Sequence, residues 1–319
     1  MELIRGLYNL RSQHKGCVAT IGSFDGVHLG HQVVLSALKE SAASKSLPSV
    51  VMTFEPQPQE FFSPADAPAR ITRLREKSEA IAEYGVTCLV CVRFDQALAS
   101  LSAEEFVQKL LVVGMGVRHL VVGDDFRFGR GRKGDFAKLS AMGETLGFGV
   151  SASSTCTVNG ERVSSTRVRQ ALADGDLELA RRLLGRDYSI SGRVAHGDKR
   201  GRTLGFATAN IELHRLRSPV RGVFAASVSG IRQDALVAVA YIGTRPVIDG
   251  KRQLLEVHIF DFDQEIYGRY LRVALLKQLR GEWEFKSLAV LQKQIAADAE
   301  EAKAFFASKR DGKEVESVP

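Results

Sequence analysis

A chain of 319 residues, 45% apolar and 25% charged, is long enough for two domains that each bury a core. No run approaches the roughly 18 apolar residues of a membrane span, and the first ten residues, with Glu2 and Arg5, lack a secretion signal's apolar core; a cytoplasmic location is expected. The net charge of +7 suits anionic small molecules, and its basic residues are scattered except in the glycine-rich stretches 127–133 and 199–202, which argues against a nucleic-acid face.

Along the first half, apolar runs at 17–21, 50–54, 88–94 and 119–123, and a weaker one at 149–152, alternate with helical patterns at 32–42, 73–84, 103–113 and 133–146. Ser102 and Glu105 have the spacing of a helix capping box. This alternation predicts an α/β domain with a doubly wound parallel sheet, whose ligands bind at the carboxyl ends of the strands. Cys88 and Cys91 fall within one apolar run, on opposite faces of a strand, and no second pair completes a zinc set; both are expected to be core thiols. Residues 166–184 read as two short helices broken at Asp174 and Gly175, ending a first domain over 1–184. From 188 to 276 the segments become short, strand-like and punctuated by glycine, which predicts a small antiparallel β-barrel. A helix over 287–307 closes this second domain, 185–319.

The first chemical feature is "TIGSFDGVHLGHQ", residues 20–32, where a strand gives way to glycines and two histidines, His28 and His31. Three ligands or more make a zinc site, and only Asp25 stands near as a third, so metal binding is the weaker reading. Glycines at 22, 26 and 30 let a backbone approach phosphate, the following helix start offers free N–H groups, and imidazoles donate to phosphoryl oxygens. His-x-Gly-His at a strand-to-helix turn therefore suits attack on the α-phosphate of a nucleoside triphosphate. "VSSTRVR", 163–169, adds hydroxyls at Ser164, Ser165 and Thr166 and a guanidinium at Arg169, although a capped helix with a surface arginine would look the same.

Together these two motifs resemble the nucleotidyltransferase superfamily. With "TFEPQPQEFF", "LREK" and "VVGDDFRFGRGRKGD", they resemble the N-terminal module of prokaryotic bifunctional riboflavin kinase/FAD synthetases. Class I aminoacyl-tRNA synthetases share the histidine motif, but no Lys-Met-Ser-Lys-Ser-like loop is found. The resemblance implies a Rossmann-like FMN adenylyltransferase. His28 and His31 would stabilise the phosphates and leaving group; Gly22, Phe24, Asp25 and Gly30 would line the ATP pocket. Ser164, Ser165, Thr166 and Arg169 would cradle the triphosphate, and Asp125, Arg127 and the loop to Lys133 would lie near flavin or nucleotide. The family often has histidine where this chain has Gln57, which removes a histidine role there.

In the second domain, "GDKRGRTLGFATANI", 197–211, fails the P-loop test: three residues, not four, separate Gly197 and Gly201, and Arg202 stands in place of lysine. "LLEVHIFDF" alternates, placing Leu255, Val257 and Ile259 on one face and Glu256, His258 and Phe260 on the other; Glu256 is either a general base or a solvated charge. With "RGVFAASV" and "IGTRPVIDG", these segments resemble the riboflavin kinase module of the same family, so the resemblance covers nearly the whole chain. It implies that Gly197, Arg202 and Gly205 bind phosphate, Thr208 and Asn210 ligate Mg²⁺, and Glu256 is the base for the riboflavin 5′-hydroxyl. Departures are Ala207 in place of the usual proline, and Tyr241 and Val247 in place of Asn and Thr. The expected activities are ATP-dependent conversion of riboflavin to FMN and of FMN to FAD, with small-molecule partners and neither membrane nor nucleic acid. The alternatives are an active adenylyltransferase beside a barrel that only binds flavin, and a non-catalytic regulator binding flavin or nucleic acid.

Overall fold

The computed structural model describes residues 1–196, 206–215, 217–247 and 250–315. The chain forms two compact units: Met1–Pro68 with Thr72–Ser165, and Ala69–Ile71 with Thr166–Pro319.

The first unit is built on a parallel sheet of β1 (Glu2–Arg5), β2 (Val18–Ile21), β3 (Ser49–Glu55), β4 (Cys88–Arg93), β5 (His119–Gly123) and β6 (Gly149–Ser153), in the order β1-β4-β3-β2-β5-β6. Helices cover both faces, which is why the central strands are apolar throughout. Ala19, Ile21, Val50, Met52, Cys88 and Val90 join one core cluster; Val18, Val51, Leu89 and Val121 join the other. Cys17 and Cys88 lie in the first cluster, and burial is the main cause that pushes their thiols up to about 12 and about 11. Cys91, also buried, falls on the opposite face by the strand's alternation. The Cys-x-x-Cys is therefore a core feature.

Helix α1 (Leu29–Ser44) buries Val34, Leu35, Leu38 and Ala42 on the second face, the short α2 (Pro58–Phe62) follows β3, and α3 (Leu74–Ala82) adds Ala80 and Ile81 to the second cluster. The short α4 (Gln96–Ala99) follows β4; α5 (Ala103–Phe106) is capped by Ser102 and Glu105 as expected, and runs on in π-helical geometry over Val107–Met115. Helix α6 (Phe136–Leu146) starts later than its pattern suggests because the Asp135 carboxylate accepts from the Lys138 backbone N–H at 2.9 Å. Strand β1 is absent from the sequence reading; it has four residues, of which only Ile4 is buried, too few to show a period. The order reverses between β2 and β5, so the crevice at their carboxyl ends is the expected ligand site.

In the second unit, helices α7 (Ser165–Ala173) and α8 (Leu177–Leu184) precede a closed antiparallel barrel. Its strands are β9 (Ser189–Ala195), β10 (Ala209–Glu212), β11 (Gly222–Ser229), β12 (Leu236–Val247), β13 (Gly250–Ile259) and β14 (Tyr270–Arg280), in the order β10-β13-β12-β11-β14-β9. Leu255, Val257 and Ile259 are buried as the alternation requires. Phe260 is not solvated but sits in an outer cluster where α9 (Leu288–Val315) lays Ala299 and Ala302 against Val223, Ala225 and Val239. The segment Ala69–Ile71 supplies acceptors inside this unit. The Arg169 guanidinium donates to the Ala69 carbonyl at 2.7 Å, the Tyr188 hydroxyl to the Ile71 carbonyl at 3.3 Å, and Arg215 to the Arg70 carbonyl at 3.3 Å and the Tyr188 hydroxyl at 2.9 Å.

A buried charge pair fastens α9 to the barrel, beside an exposed pair between Lys277 and Glu301: the Arg280 guanidinium donates to both Asp298 oxygens, at 2.8–3.1 Å, with the two side chains only 10% and 6% exposed. Asp298→Ala strands that guanidinium, and the expected loss is about 3–5 kcal/mol of unfolding free energy. Trp283, the sole tryptophan, lies 4.9 Å from the guanidinium and reports the transition in urea by fluorescence. A loss under about 1 kcal/mol, the value of a solvent-screened surface pair, would refute this assignment.

Candidate functional site

At the carboxyl end of β2 the chain makes a strained turn into α1. Phe24 and Val27 have φ of 47° and 44°, and Gly26 has φ of 86°. A positive φ at β-branched Val27 is a true outlier, of the kind that concentrates at functional sites. The turn is held by what it buries. Phe24 and Val27 enter the core cluster beneath α1. The Asp25 carboxylate, 1% exposed, accepts from the Thr72 N–H at 2.9 Å and the Thr72 hydroxyl at 3.2 Å, while the Gly26 N–H donates to the Thr72 hydroxyl at 2.9 Å. Phe24 and Asp25 thus shape the loop from below.

His28 caps α1: the His31 backbone N–H donates to its Nδ1 at 3.4 Å, which leaves the proton of a neutral His28 ring on Nε2 as a donor. The two imidazoles stack, 3.6 Å between centroids and 17° between planes, with Phe24 5.1 Å from His31. Among the described residues the buried Nδ1 of His31 has no hydrogen-bond partner. Burial, then the neighbouring His28 and Lys77, hold His31 well below the ordinary imidazole range, so it is neutral at neutral pH. Among the described residues, no group of three His, Cys, Asp or Glu side chains could hold a metal ion.

Gly30 makes the turn a meeting place. A Cβ there would stand 3.3 Å from the His28 ring and 3.4 Å from the Val163 carbonyl, so the chain on which Ser164 sits passes directly over the start of α1. The Ser165 hydroxyl donates to the Asp25 carbonyl at 2.9 Å. Residues on both sides of Ser164 therefore touch the 22–30 loop, beside the helix terminus that favours anions. Thr166 and Arg169 belong to the second unit, where Arg169 meets Ala69.

Beyond β5, the neighbour of β2, the chain carries Asp124, Asp125 and Arg127. Arg162 bridges Asp124 at 2.8 Å and Asp125 at 2.9 Å, and the Thr155 hydroxyl donates to Asp124 at 2.6 Å; that bond, ahead of Arg162, lowers the Asp124 carboxyl. Arg127 pairs with Asp135 at 3.3 Å. Gln57, buried at the start of α2, has no partner for its amide nitrogen among the described residues. Asp124, Thr155, Arg162, Thr72 and Lys77 escaped the sequence reading. Asp124 and Lys77 stand inside quoted motifs, but nothing in the spacing shows which polar residue faces inward.

On the barrel, a row crosses three strands: Asn210 of β10 opposes Glu256 of β13, which opposes Tyr241 of β12. Directly opposed residues share a face, with Cβ atoms about 4.5–5.5 Å apart. The Asn210 amide N–H donates to the Thr208 carbonyl at 3.5 Å, leaving its Oδ1 as an oxygen donor. A Thr hydroxyl and an amide oxygen are donor types that suit a hard divalent cation, and Glu256 stands opposite Asn210 in the register. The Ala207 carbonyl accepts from His258 Nδ1 at 2.8 Å, a restraint on the segment that lacks the proline stiffness. Tyr241 donates to Glu282 at 3.1 Å; burial first, then Glu282, pushes its phenol up to about 12. Gly197, Arg202 and Gly205 lie outside the described residues.

Two family models match, FAD synthetase over residues 10–167 and riboflavin kinase over 184–306. The bifunctional riboflavin kinase/FMN adenylyltransferase of Escherichia coli K12 is 52% identical over 307 residues, covering 96% of this chain and 98% of that protein. The chain belongs to the bifunctional riboflavin kinase/FMN adenylyltransferase family. Members from Pseudomonas fluorescens and Haemophilus influenzae are 51% and 46% identical, covering 96% and 97% of this chain and 98% and 100% of their own lengths. A crystal structure from Streptococcus pneumoniae, described as a macrolide-efflux protein, superposes with a TM-score of 0.79 at 32% identity, covering 93% of this chain and 97% of that one. No helix among the described residues is long and apolar enough to cross a membrane.

In this family member the loop depends on the Asp25–Thr72 clasp. Asp25→Ala leaves the buried Thr72 N–H without that acceptor and is expected to lower unfolding stability by about 1–3 kcal/mol. Urea unfolding checks this; an unchanged midpoint and slope would show the clasp to be dispensable.

Proposed function

We infer that this chain performs two successive reactions. In the barrel, the riboflavin 5′-oxygen attacks the γ-phosphorus of ATP, the bond to the β-phosphate oxygen breaks, and FMN and ADP form. In the α/β domain, an FMN phosphate oxygen attacks the α-phosphorus of a second ATP, and FAD and pyrophosphate form. We assign the adenylyltransferase to residues 1–184 and the kinase to 185–319. The observation that carries the reading is the seating of Val163 and Ser165 on the loop that presents His28 and Gly30. It gathers hydroxyls, imidazoles and a helix terminus where phosphoryl charge develops.

At the adenylyl site, His28 donates from Nε2 to the phosphates and His31 backs it as a neutral ring. Ser164 adds its hydroxyl to the cradle, and Gly22 keeps the loop clear for nucleotide. Ser165, whose hydroxyl already donates to Asp25, holds the cradle rather than the phosphate. Asp125 and Arg127 flank the flavin side. In the barrel, Glu256 takes the proton of the 5′-hydroxyl, and Gly197, Arg202 and Gly205 meet the ATP phosphates. Mg²⁺ fits the oxygen donors Thr208 and Asn210 and would neutralise phosphate charge there. Both reactions consume ATP, which supports the cytoplasm as their location.

Riboflavin with ATP and Mg²⁺ is expected to yield FMN first and FAD later, followed by separation of the products over time; no consumption of ATP would overturn the reading. His28→Ala is expected to slow FAD formation from FMN by about 100-fold with FMN formation intact. Glu256→Gln is expected to abolish most FMN formation while supplied FMN is still converted to FAD. If Glu256→Gln leaves FMN formation at the wild-type rate, the carboxylate is not the base.

A further inference from the structure

Among the described residues, the largest fully buried side chain is that of a lysine. Lys77 lies on α3, 1% exposed, in a helix whose other inward residues are Glu76, Ala80 and Ile81. An ammonium group in such a place is costly unless it is employed. Its Nζ lies 3.4 Å from the Thr53 hydroxyl of β3, and that hydroxyl lies 3.4 Å from the Ser23 carbonyl of the loop after β2. Five residues earlier, Thr72 holds Asp25 and Gly26 of the same loop. The segment leading into α3 therefore reaches the nucleotide loop twice, once by a neutral clasp and once by a fixed positive charge.

We propose that Lys77 is a positioning residue for adenylyl transfer, its buried charge acting through Thr53 on the turn at Ser23 and across the site on the ring of His31. This rests on the adenylyltransferase reading above. A cation fixed behind the loop adds attraction for the incoming triphosphate without needing to reorganise. It also opposes protonation of His31, preserving a lone pair on that ring. The groups that act on His31 are His28 of its own turn and Lys77 of α3, and both oppose a proton there. Removing Lys77 deletes one of these two repulsions, so the His31 midpoint moves upward and the acid limb of FAD formation moves to higher pH.

The test uses the full chain with FMN and ATP across pH 5.5–8.5, with riboflavin phosphorylation as a measure of the other unit's integrity and imidazole NMR as a direct readout. In the wild type, the His31 midpoint is expected well below the ordinary 6.5. Lys77→Met is expected to lower the kcat of FAD formation by about tenfold or more, to raise the His31 midpoint, and to spare FMN formation. Lys77→Arg, which keeps the charge, is expected to restore the wild-type His31 midpoint. A wild-type His31 that titrates near 6.5 would overturn the proposal even if no variant folds. So would Lys77→Met with wild-type FAD formation, or with reduced FAD formation and an unmoved pH profile, since the lysine would then only fill space. A wild type that makes no FAD would instead refute the reading beneath it.

Discussion

The approach of the Val163 carbonyl to Gly30 governs the first unit. It requires a residue without a side chain at the start of α1, and it brings a stretch more than 130 positions away in the chain against the turn after β2. Any larger residue at position 30 would push Val163 and the His28 ring apart, since a Cβ there already stands 3.3–3.4 Å from both. The switch point of the sheet sets where this meeting occurs, because β2 and β5 diverge in their connections and leave their carboxyl ends open. Helix α1 aims its N-terminus at the same spot. The positive end of the helix dipole, two rings and the Ser165 hydroxyl thus gather at one loop as a result of topology and one missing methyl group.

The barrel solves its problem by a different route. A parallel sheet offers loops at its strand ends, whereas a closed antiparallel barrel buries one phase of each strand and exposes the other. On the exposed phase the register aligns Asn210, Glu256 and Tyr241 in one row. Next to that row, α9 seals the apolar outer wall around Phe260, so the same outward phase is apolar at one end of β13 and polar at the other.

Much of this was legible in the sequence. The alternation of strands and helices, the barrel texture and the two histidines at a strand-to-helix turn follow from local periodicity and turn chemistry, both of which are properties of short windows. Strand β1 was not legible, because four residues with one buried position carry no period. Neither was the inward use of Asp25, whose partner Thr72 lies 47 positions away, nor that of Ser165, which was expected to face phosphate but holds the Asp25 carbonyl. The burial of Lys77 was hidden for the same reason: a lysine on an amphipathic helix looks solvated until the opposing strand is known. Phe260 shows the limit of alternation itself, since the period gives the face but not what covers that face.

The three residues Ala69–Ile71 have a practical corollary for anyone dissecting this enzyme. They belong to the barrel-bearing unit, yet they are encoded in the middle of the other one. A gene fragment starting at codon 166 or 185 would express a barrel deprived of the backbone oxygens that receive Tyr188 and Arg215. Loss of activity in such a fragment would not by itself show that one chemistry depends on the other, because parts of the barrel's own unit are missing.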